Sequence, residues 1–562
     1  MMKYTWDIII WLVIFWIKRK RFSEFYDKLK SGAVPKWKAW AELLYKSPYF
    51  FIVVFFALYG FFFDHAAPKH NVFLICGSAY LGPVLIALFF LHLGSSREDS
   101  GSKQHVRGAA VTDEERLSKA LSSLVNNDSL PITPKIKLPQ KYETTHFFTI
   151  GRPGCGKSQL FYRIIQKVMD RGDKAIIYDF KGDQVAKFFD PEKHILFNPF
   201  DKRCAAWNIF NEIESPLDIR SIANSLIPIT GNDPYWSNAA RDVFAGILTA
   251  CYQAGRKSND EVYRCSSMPA QDLAEFLSRY QGTETATRHL AQDKAGASIL
   301  SIMSSSTQCF EYLRNVKGDF SIRKWASNDS DRRCVFLTNY SEISDTIRPV
   351  LSLFIELAGK RVLSLPDSRE RRFFFFIDEF GTLNNLSTIP TMLTNGRSKG
   401  MSIWIAIQDM GQIEKIYGKD ISQTIVNSCA TSFTFAVNDP FTADFVSRKI
   451  GEREIRQVNV SYSEGQSPSS TTSYQTMNER VVMASEIQNL PNLVFFLKMP
   501  DYHVTPLRLD IVTIADRQAA FLTRDDFRLT PRTEEPETTS PELDHPEEVK
   551  QPEKDEREEF HL

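Results

Sequence analysis

A glycine-rich segment that ends in a lysine and a serine is the part of the sequence best suited to chemistry. Its spacing is G-x-x-x-x-G-K-S, and it consists of Gly151, Arg152, Pro153, Gly154, Cys155, Gly156, Lys157 and Ser158. The glycines let backbone N–H groups converge on phosphate oxygens, and a following helix adds a favourable dipole. In this interpretation Lys157 binds the β- and γ-phosphates of a nucleotide, and the Ser158 hydroxyl ligates Mg²⁺.

Two adjacent carboxylates form a second candidate group. Asp378 and Glu379 end the apolar run 371–377, whose composition favours a central strand in a sheet covered on both faces. Asp378 would hold Mg²⁺ through water, and Glu379 would act as the general base on an attacking water. The alternative is a strand that ends in two solvated acids. The second carboxylate favours nucleotide hydrolysis over nucleotide binding alone.

Gln408 and Arg397 complete the predicted hydrolytic set. Gln408 follows the apolar run 401–407, and a polar residue at the carboxyl end of a strand beside the phosphate strand faces the nucleotide. It can therefore sense the γ-phosphate. Arg397 lies on an edge from which it could stabilise transition-state charge in a neighbouring subunit. Its spacing alone also fits an ordinary surface arginine.

The elements that must position these residues predict an α/β fold with a parallel sheet. A short apolar strand at 146–150 precedes the glycine-rich segment, and a helical pattern begins after it at Leu160. A second strand at 174–179 follows at the distance expected for a crossover connection. The sequence therefore predicts the strand, loop and helix context that a phosphate-binding loop requires.

A long gap separates the two halves of the predicted site. Lys157 and Asp378 are 221 residues apart, far more than the intervening strands need. Residues 214–325 carry helical patterns, and their twelve acids and twelve bases cancel. We expect an all-helical domain inserted into the α/β core, with the chain returning to the sheet at 333–338.

Composition excludes several other classes of protein. The chain has 562 residues, enough for several domains, and its 68 basic residues balance its 68 acidic residues. Charge alone therefore does not identify a nucleic-acid binder. The eight cysteines include no CxxC pair and no zinc-type spacing, which excludes a disulfide framework and a zinc site.

The first hundred residues contain two long apolar runs, which predict membrane-spanning helices at about 44–63 and 72–93. The basic stretch 18–46 has a surplus of six positive charges, which places both flanks of this helical hairpin in the cytoplasm. The alternative is a buried core hairpin. An earlier apolar run at 8–17 is too short to span a bilayer and suits an interfacial helix or a third membrane-contacting helix.

Two polar segments predict irregular structure. Residues 461–473 are rich in Ser, Thr, Gly and Gln, which favours a mobile loop over a regular element. Residues from 530 onward combine prolines with dense acids, which is typical of a disordered tail. The predicted organisation is a membrane anchor at 1–94, a nucleotide-binding domain at 95–213 and 326–529, a helical insertion at 214–325 and an acidic tail at 530–562.

With these elements placed, the sequence resembles the TraD-type coupling proteins of bacterial conjugation and type IV secretion. Phe180 stands where that family usually has proline. The resemblance covers nearly the whole chain, and the segments that carry it are the lead-in 138–146, the Asp179-Phe-Lys-Gly-Asp183 motif, 198–208, 233–241, Asp378-Glu379-Phe380, Arg397, Gln408-Asp409 and 485–492.

This resemblance implies a RecA-like P-loop ATPase core with an inserted all-α domain and an N-terminal two-helix membrane anchor. It implies ATP and Mg²⁺ as ligands, and Arg397 as a finger offered to the neighbouring subunit. It also implies a homo-hexamer in the bacterial inner membrane with its bulk in the cytoplasm. The implied partners are single-stranded DNA with relaxase or relaxosome proteins, and type IV secretion channel components. The turn 64–71 is much shorter than the periplasmic segment of many members.

Three functions remain open at this point. The first is an inner-membrane ATPase that drives single-stranded DNA from the relaxosome into a secretion channel. The second is a motor for protein substrates that does not translocate DNA, and the third is a nucleotide-dependent docking receptor with little turnover. The complete hydrolytic set speaks against the third. A small-molecule kinase would leave the second carboxylate and the membrane hairpin unexplained.

Overall fold

The computed structural model describes residues 103–229, 233–291, 293–314, 316, 318–463 and 469–527. The predicted anchor and acidic tail lie outside these residues. Within the described ranges, no helix has the length and apolarity that a membrane crossing requires. The described residues divide into two compact units, and 103–110 and 447–483 form a smaller unit of their own. Both segments fall within 95–213 and 326–529, the ranges predicted for the nucleotide-binding domain.

The described residues contain fourteen strands. In chain order they are β1 (Lys103–Gly108), β2 (Leu130–Pro131), β3 (Lys137–Leu138), β4 (Phe147–Ile150), β5 (Lys174–Asp179), β6 (Ile195–Phe197), β7 (Val335–Thr338), β8 (Phe373–Ile377), β9 (Met401–Ile407), β10 (Thr431–Thr434), β11 (Glu452–Ser463), β12 (Ser469–Arg480), β13 (Val494–Lys498) and β14 (Thr505–Arg508).

The larger unit is built around a nine-stranded sheet with the order β14-β13-β10-β4-β9-β8-β5-β7-β6. The strands from β10 to β6 pair in parallel, whereas β13 and β14 continue the sheet antiparallel at one edge. The predicted strands are confirmed at β4, β5, β7, β8 and β9. Because β4, β9 and β8 are neighbours, the residues that follow their carboxyl ends lie side by side.

The helices of the described residues occur mainly in the larger unit. They are α1 (Glu114–Leu121), α2 (Lys157–Asp170), α3 (Asp183–Phe188), α4 (Pro216–Leu226), α5 (Pro234–Gln253), α6 (Asn259–Ser266), α7 (Ala270–Ser278), α8 (Glu284–Leu290), α9 (Asp293–Thr307), α10 (Cys309–Tyr312), α11 (Ile322–Ser327), α12 (Ser344–Leu363), α13 (Ile389–Asn395), α14 (Met410–Tyr417), α15 (Lys419–Ser428), α16 (Pro440–Ile450) and α17 (Ala484–Gln488). Between β6 and β7, the described residues form the eight helices α4 to α11 and no strand.

Helices cover both faces of the sheet. Every residue of β4, β5, β8 and β9 is buried, as their apolar sequences require. On one face the Phe161 ring of α2 lies 5.9 Å from the Phe376 ring of β8. On the other face the Phe354 ring of α12 lies 5.2 Å from the Phe197 ring of β6. The sheet is therefore a rigid support for the loops at its edges.

The smaller unit contains a three-stranded antiparallel sheet with the order β1-β11-β12. The expectation of a loop over 461–473 is wrong at both of its ends, because Ser461 pairs with Thr471 and Ser463 pairs with Ser469. Threonine is β-branched and suits a strand. The same strand, β11, also contains the buried residues Ile455 and Val458. The polar ends of 461–473 therefore join the strands through backbone hydrogen bonds, which do not depend on apolar side chains.

Candidate functional site

The glycine-rich segment joins β4 to α2, as the sequence predicts. Gly156 precedes the helix with a φ of 117°, a left-handed conformation that favours glycine. In the described structure no side chain caps the start of α2, so the N–H groups of its first turn are available to an anion. A Cβ at Gly151 would lie 2.6 Å from both the Cys155 sulfur and the Phe435 Cβ. The loop therefore needs glycine at both positions.

Lys157 folds over this loop. Its Nζ donates hydrogen bonds to the carbonyl oxygens of Gly151 and Arg152, the latter at 3.2 Å. Lys157 is only 9 % exposed. Arg152 turns its guanidinium outward, where it donates to Asn492 Oδ1 at 3.3 Å. The lysine charge is thus held at the bottom of the cleft that begins at the loop.

That cleft has a volume of about 970 Å³ and brings together predicted residues from three strand ends. Its walls include these predicted site residues: Pro153, Gly154, Gly156, Lys157, Ser158, Asp378, Glu379 and Gln408. Cys155 instead packs into the core behind the loop, where burial raises the pKa of its thiol. Cys155 is therefore a structural residue of the loop.

The two carboxylates differ in their partners. Gln408 Nε2 donates to Glu379 Oε2 at 2.8 Å, while Glu379 Oε1 is buried and accepts no hydrogen bond from the described residues. Burial raises the pKa of Glu379, and the Gln408 hydrogen bond opposes this shift. Burial also raises the pKa of Asp378, against the attraction of Lys157 and Lys181. A buried carboxylate with a free oxygen and a raised pKa is suited to accept a proton.

The cleft also fits a magnesium ion. Ser158 and Asp378 both line it, and each offers an oxygen, the ligand atom that Mg²⁺ prefers. Among the described residues no group of three or more His, Cys, Asp or Glu side chains could hold a metal by itself. An ion here would take its other ligands from phosphate and water. The buried oxygen Glu379 Oε1 has no partner among the described residues and can accept a hydrogen bond from such a water.

Asp179 belongs to a sequence motif that predicted no role for it at the site. It is 1 % exposed and accepts N–H groups from Gly182, Gln184 and Val185 at 2.7 to 2.9 Å. Burial raises the pKa of Asp179 to about 7, and these hydrogen bonds oppose the shift. Asp179 holds the start of α3 so that Gln184 Nε2 lies 3.5 Å from Asp378 Oδ2. The sequence pattern that could have indicated this role is an acidic residue at the end of β5 followed by a glycine three residues later.

Arg348, Asn384 and Asn492 also line the cleft, and the sequence predicted no role there for any of them. Arg348 comes from α12, Asn384 follows β8, and Asn492 precedes β13. Their segments are far apart in the sequence, and although Asn492 lies in the segment 485–492 that carries the resemblance, no motif assigns a site role to any of the three. Only the packing of these segments against the sheet brings them to the nucleotide site.

Arg397 is not among the residues of this cleft. It lies exposed on the turn 396–399, which precedes β9, whereas Gln408 follows β9. A strand of seven residues at about 3.3 Å per residue separates the two ends by about 20 Å. Arg397 instead lines a second cavity with His146 and Lys141. Its side chain is too short to reach the phosphate loop of its own chain.

Comparisons with known proteins agree with this geometry. The model of the family described as type IV secretion-system coupling protein DNA-binding domain matches residues 131–510. Coupling protein TraD of Escherichia coli K12 is 26 % identical over 470 residues, which are 81 % of this chain and 65 % of TraD. The chain thus spans less than two thirds of the length of that curated relative.

Two solved structures of the plasmid coupling protein TrwB share the fold. They contain the non-hydrolysable ATP analogue ADPNP in one case and ADP with Mg²⁺ in the other. Both are 26 % identical and cover 76 % of this chain and 99 % of the TrwB chain, with TM-scores of 0.66 and 0.65. The larger unit therefore has a TrwB-like α/β nucleotide-binding fold. Since the family model matches more than half of its residues, the chain belongs to the family of type IV secretion-system coupling proteins.

Proposed function

We propose that this protein is an ATPase that couples the relaxosome to a type IV secretion channel and drives single-stranded DNA transfer in conjugation. The observation that carries this proposal is the cleft in which Lys157, Glu379 and Gln408 meet, with Glu379 hydrogen-bonded to Gln408 at 2.8 Å. Membership of a family whose model describes a DNA-binding domain supports DNA as the cargo.

Each residue of the cleft has its own role in ATP hydrolysis. Glu379 accepts a proton from the attacking water, whose oxygen bonds to the γ-phosphorus. The bond between that phosphorus and its bridging oxygen breaks, and ADP leaves with the electron pair of that bond while phosphate is released. Lys157 and the N–H groups of the phosphate loop bind the negative charge of the phosphates. Ser158 and Asp378 would hold Mg²⁺, which neutralises phosphate charge when bound. The ADP and Mg²⁺ named in a TrwB structure support this choice of ligands.

We also propose that the two apolar runs at 44–63 and 72–93 anchor the protein in the bacterial inner membrane, with its bulk in the cytoplasm. The basic stretch 18–46 supports this orientation. We further propose a homo-hexamer in which Arg397 completes the nucleotide site of the next subunit. The exposure of Arg397 and its distance from its own cleft support this role.

ATP hydrolysis by the purified full-length chain in lipid nanodiscs tests the proposal. We expect single-stranded DNA to stimulate turnover more than duplex DNA does, and Lys157→Thr to abolish both basal and stimulated turnover. Absence of turnover under all conditions would favour the docking receptor. Stimulation by a secreted protein substrate but not by DNA would favour the protein motor.

A further inference from the structure

His146 has an unusual backbone conformation directly before the phosphate strand. Its φ is +57°, in the left-handed region that residues other than glycine rarely adopt. It is followed by β4, whose carboxyl end leads into the phosphate loop at Gly151. A non-glycine residue keeps such a conformation only where its surroundings hold it. The side chain of His146 therefore has contacts that outweigh the backbone preference.

The imidazole of His146 is buried between two other elements. His146 is 2 % exposed, and its Nδ1 accepts the backbone N–H of Ile403 in β9 at 3.3 Å. Because Nδ1 is an acceptor, Nε2 carries the proton. Burial is the main reason that the pKa of His146 is lowered to about 4; a hydrogen bond with the backbone of Leu393 opposes this shift, and the Arg397 cation adds to it. The ring is thus neutral with a single tautomer.

The other ring nitrogen faces the arginine-bearing segment. Nε2 is buried and lacks a partner of ideal hydrogen-bond geometry in the described structure, but the ring interacts with the backbone of Leu393 in α13. The ring lines a cavity of about 600 Å³ whose walls also include Leu393 of α13 and Arg397. The turn 396–399 lies between α13 and β9. His146 thus contacts β9 on one side of this turn and faces α13 on the other.

We infer that His146 is a positioning residue that holds the turn carrying Arg397 against the phosphate strand of its own subunit. This inference rests on the proposed function, in which Arg397 serves the nucleotide of the neighbouring subunit. The buried side chain of His146 would then link two parts of one subunit. These are the phosphate loop, which binds the subunit's own nucleotide, and Arg397, which serves the nucleotide of the neighbouring subunit. Replacing His146 should damage the arginine side of the interface and leave the phosphate side intact.

Two substitutions separate the imidazole from the backbone conformation. Glycine adopts a φ of +57° readily, so His146→Gly keeps the backbone and removes both ring nitrogens. Asparagine tolerates this region better than most residues, and in His146→Asn its Oδ1 can accept the Ile403 N–H. We expect His146→Gly to lower full-length ATPase turnover by about 10- to 100-fold, as misplacement of a catalytic group does. His146→Asn should recover most of that loss.

Mixed assemblies of full-length subunits show which side of the interface is damaged. His146→Gly subunits mixed with Lys157→Thr subunits should regain turnover, since an intact phosphate loop from the first meets a well-placed arginine from the second. In a random equal mixture about one interface in four has this pairing. His146→Gly mixed with Arg397→Ala should show no more turnover than His146→Gly alone, because neither subunit supplies a well-placed arginine.

Other results would overturn the inference. Rescue by Arg397→Ala but not by Lys157→Thr would mean that His146 acts on its own phosphate loop. If neither partner variant restores turnover, in mixtures shown by crosslinking to be co-assembled, His146 has a general structural role. Full turnover of His146→Gly by itself would mean that His146 has no role in hydrolysis.

A third mixture separates this inference from the proposed function. Lys157→Thr with Arg397→Ala should regain turnover if the arginine works between subunits. If this mixture stays inactive, the role of Arg397 between subunits and the inference about His146 both fail. If it regains turnover while the His146→Gly pattern is absent, only the inference fails.

Discussion

At the scale of single residues, Lys157 and Glu379 line one cleft, but replacing each should affect nucleotide binding and turnover differently. Lys157→Thr removes the charge that binds the phosphates, so both nucleotide affinity and turnover should fall. Glu379→Gln keeps the shape of the side chain and should retain nucleotide binding while turnover falls by about 10²- to 10⁴-fold, as expected for a lost general base. Fluorescent nucleotide binding and steady-state hydrolysis, measured on both variants, check this difference.

The two substitutions should leave the fold intact. Lys157 donates hydrogen bonds to two loop carbonyls, and the loss of such contacts costs about 1 kcal/mol each. A Glu379→Gln variant that binds no nucleotide would contradict the role assigned to the carboxylate. Normal turnover in Lys157→Thr would contradict the phosphate site itself.

The hydrogen bond between Gln408 and Glu379 predicts a shift in the pH dependence of turnover. A general base must be ionised, so turnover should fall as pH drops through the pKa of Glu379, which burial raises above 4.5. Gln408→Leu removes the donor that stabilises the carboxylate. The pKa of Glu379 then rises, and the acidic limb of the profile should move to higher pH.

The measurement is kcat between about pH 5 and pH 8, a range that brackets the ordinary histidine pKa and lies above that of a free glutamate. Gln412→Leu is the matched control, because Gln412 lines the same cleft and its side chain makes no hydrogen bond to Glu379 in the described structure. A limb that stays in place in Gln408→Leu would identify a base other than Glu379.

At the scale of elements, a buried ion-pair network ties the lead-in to the phosphate strand, α2 and β8 together. Glu143 is almost wholly buried and accepts from Arg171 at 2.6 Å and from Arg372 at 3.2 Å. Burial raises the pKa of Glu143, and the two arginines oppose this shift. The network therefore stabilises the sheet only while both arginines remain.

Arg171→Ala should destabilise the larger unit by about 3 kcal/mol, because it leaves Glu143 a buried charge with one partner. Urea unfolding followed by tryptophan fluorescence measures this change as a lower midpoint. The control is Lys135→Ala, which removes an exposed contact with Glu114 at 4.0 Å and should cost less than about 0.5 kcal/mol. Equal midpoints for the two variants would show that the network adds nothing to stability.

At the scale of the whole molecule, the two apolar runs near the N-terminus predict a defined membrane topology. A reporter fused after Asn71 should be periplasmic and one fused after Ser100 cytoplasmic, since the basic stretch 18–46 keeps both flanks of the hairpin inside. Alkaline phosphatase and green fluorescent protein report the two sides. Cytoplasmic signal at both fusion points would mean that the hairpin does not span.

Much of the site was predictable because its parts are contiguous in sequence. The phosphate loop, the carboxylates after β8 and Gln408 after β9 each follow an apolar strand, and strand periodicity is a local property. Parallel strands bring such residues to one edge. Their meeting in one cleft therefore followed from the order of motifs along the chain, together with the resemblance to the coupling proteins.

The polar hairpin of the smaller unit shows where local patterns fail. Residues 461–473 have a loop-like composition, yet their ends pair in register because they extend the ladder that β11 and β12 form from Glu452 and Arg480 onward. Strand pairing depends on backbone groups of two segments, and no single segment encodes its partner. The partnership of β11 with β1, more than three hundred residues earlier, is of the same kind.

The sequence by itself determined the nucleotide-binding motifs, the strands that carry them, the helical character of the long insertion and the family. Only the tertiary structure decided that Arg348 and Asn492 enter the cleft, that Asp179 holds α3, and that His146 lies between β9 and the turn of Arg397. The physical reason is range. Periodicity and turn chemistry act over a few residues, whereas the burial of a charge or a ring depends on which distant segments pack around it.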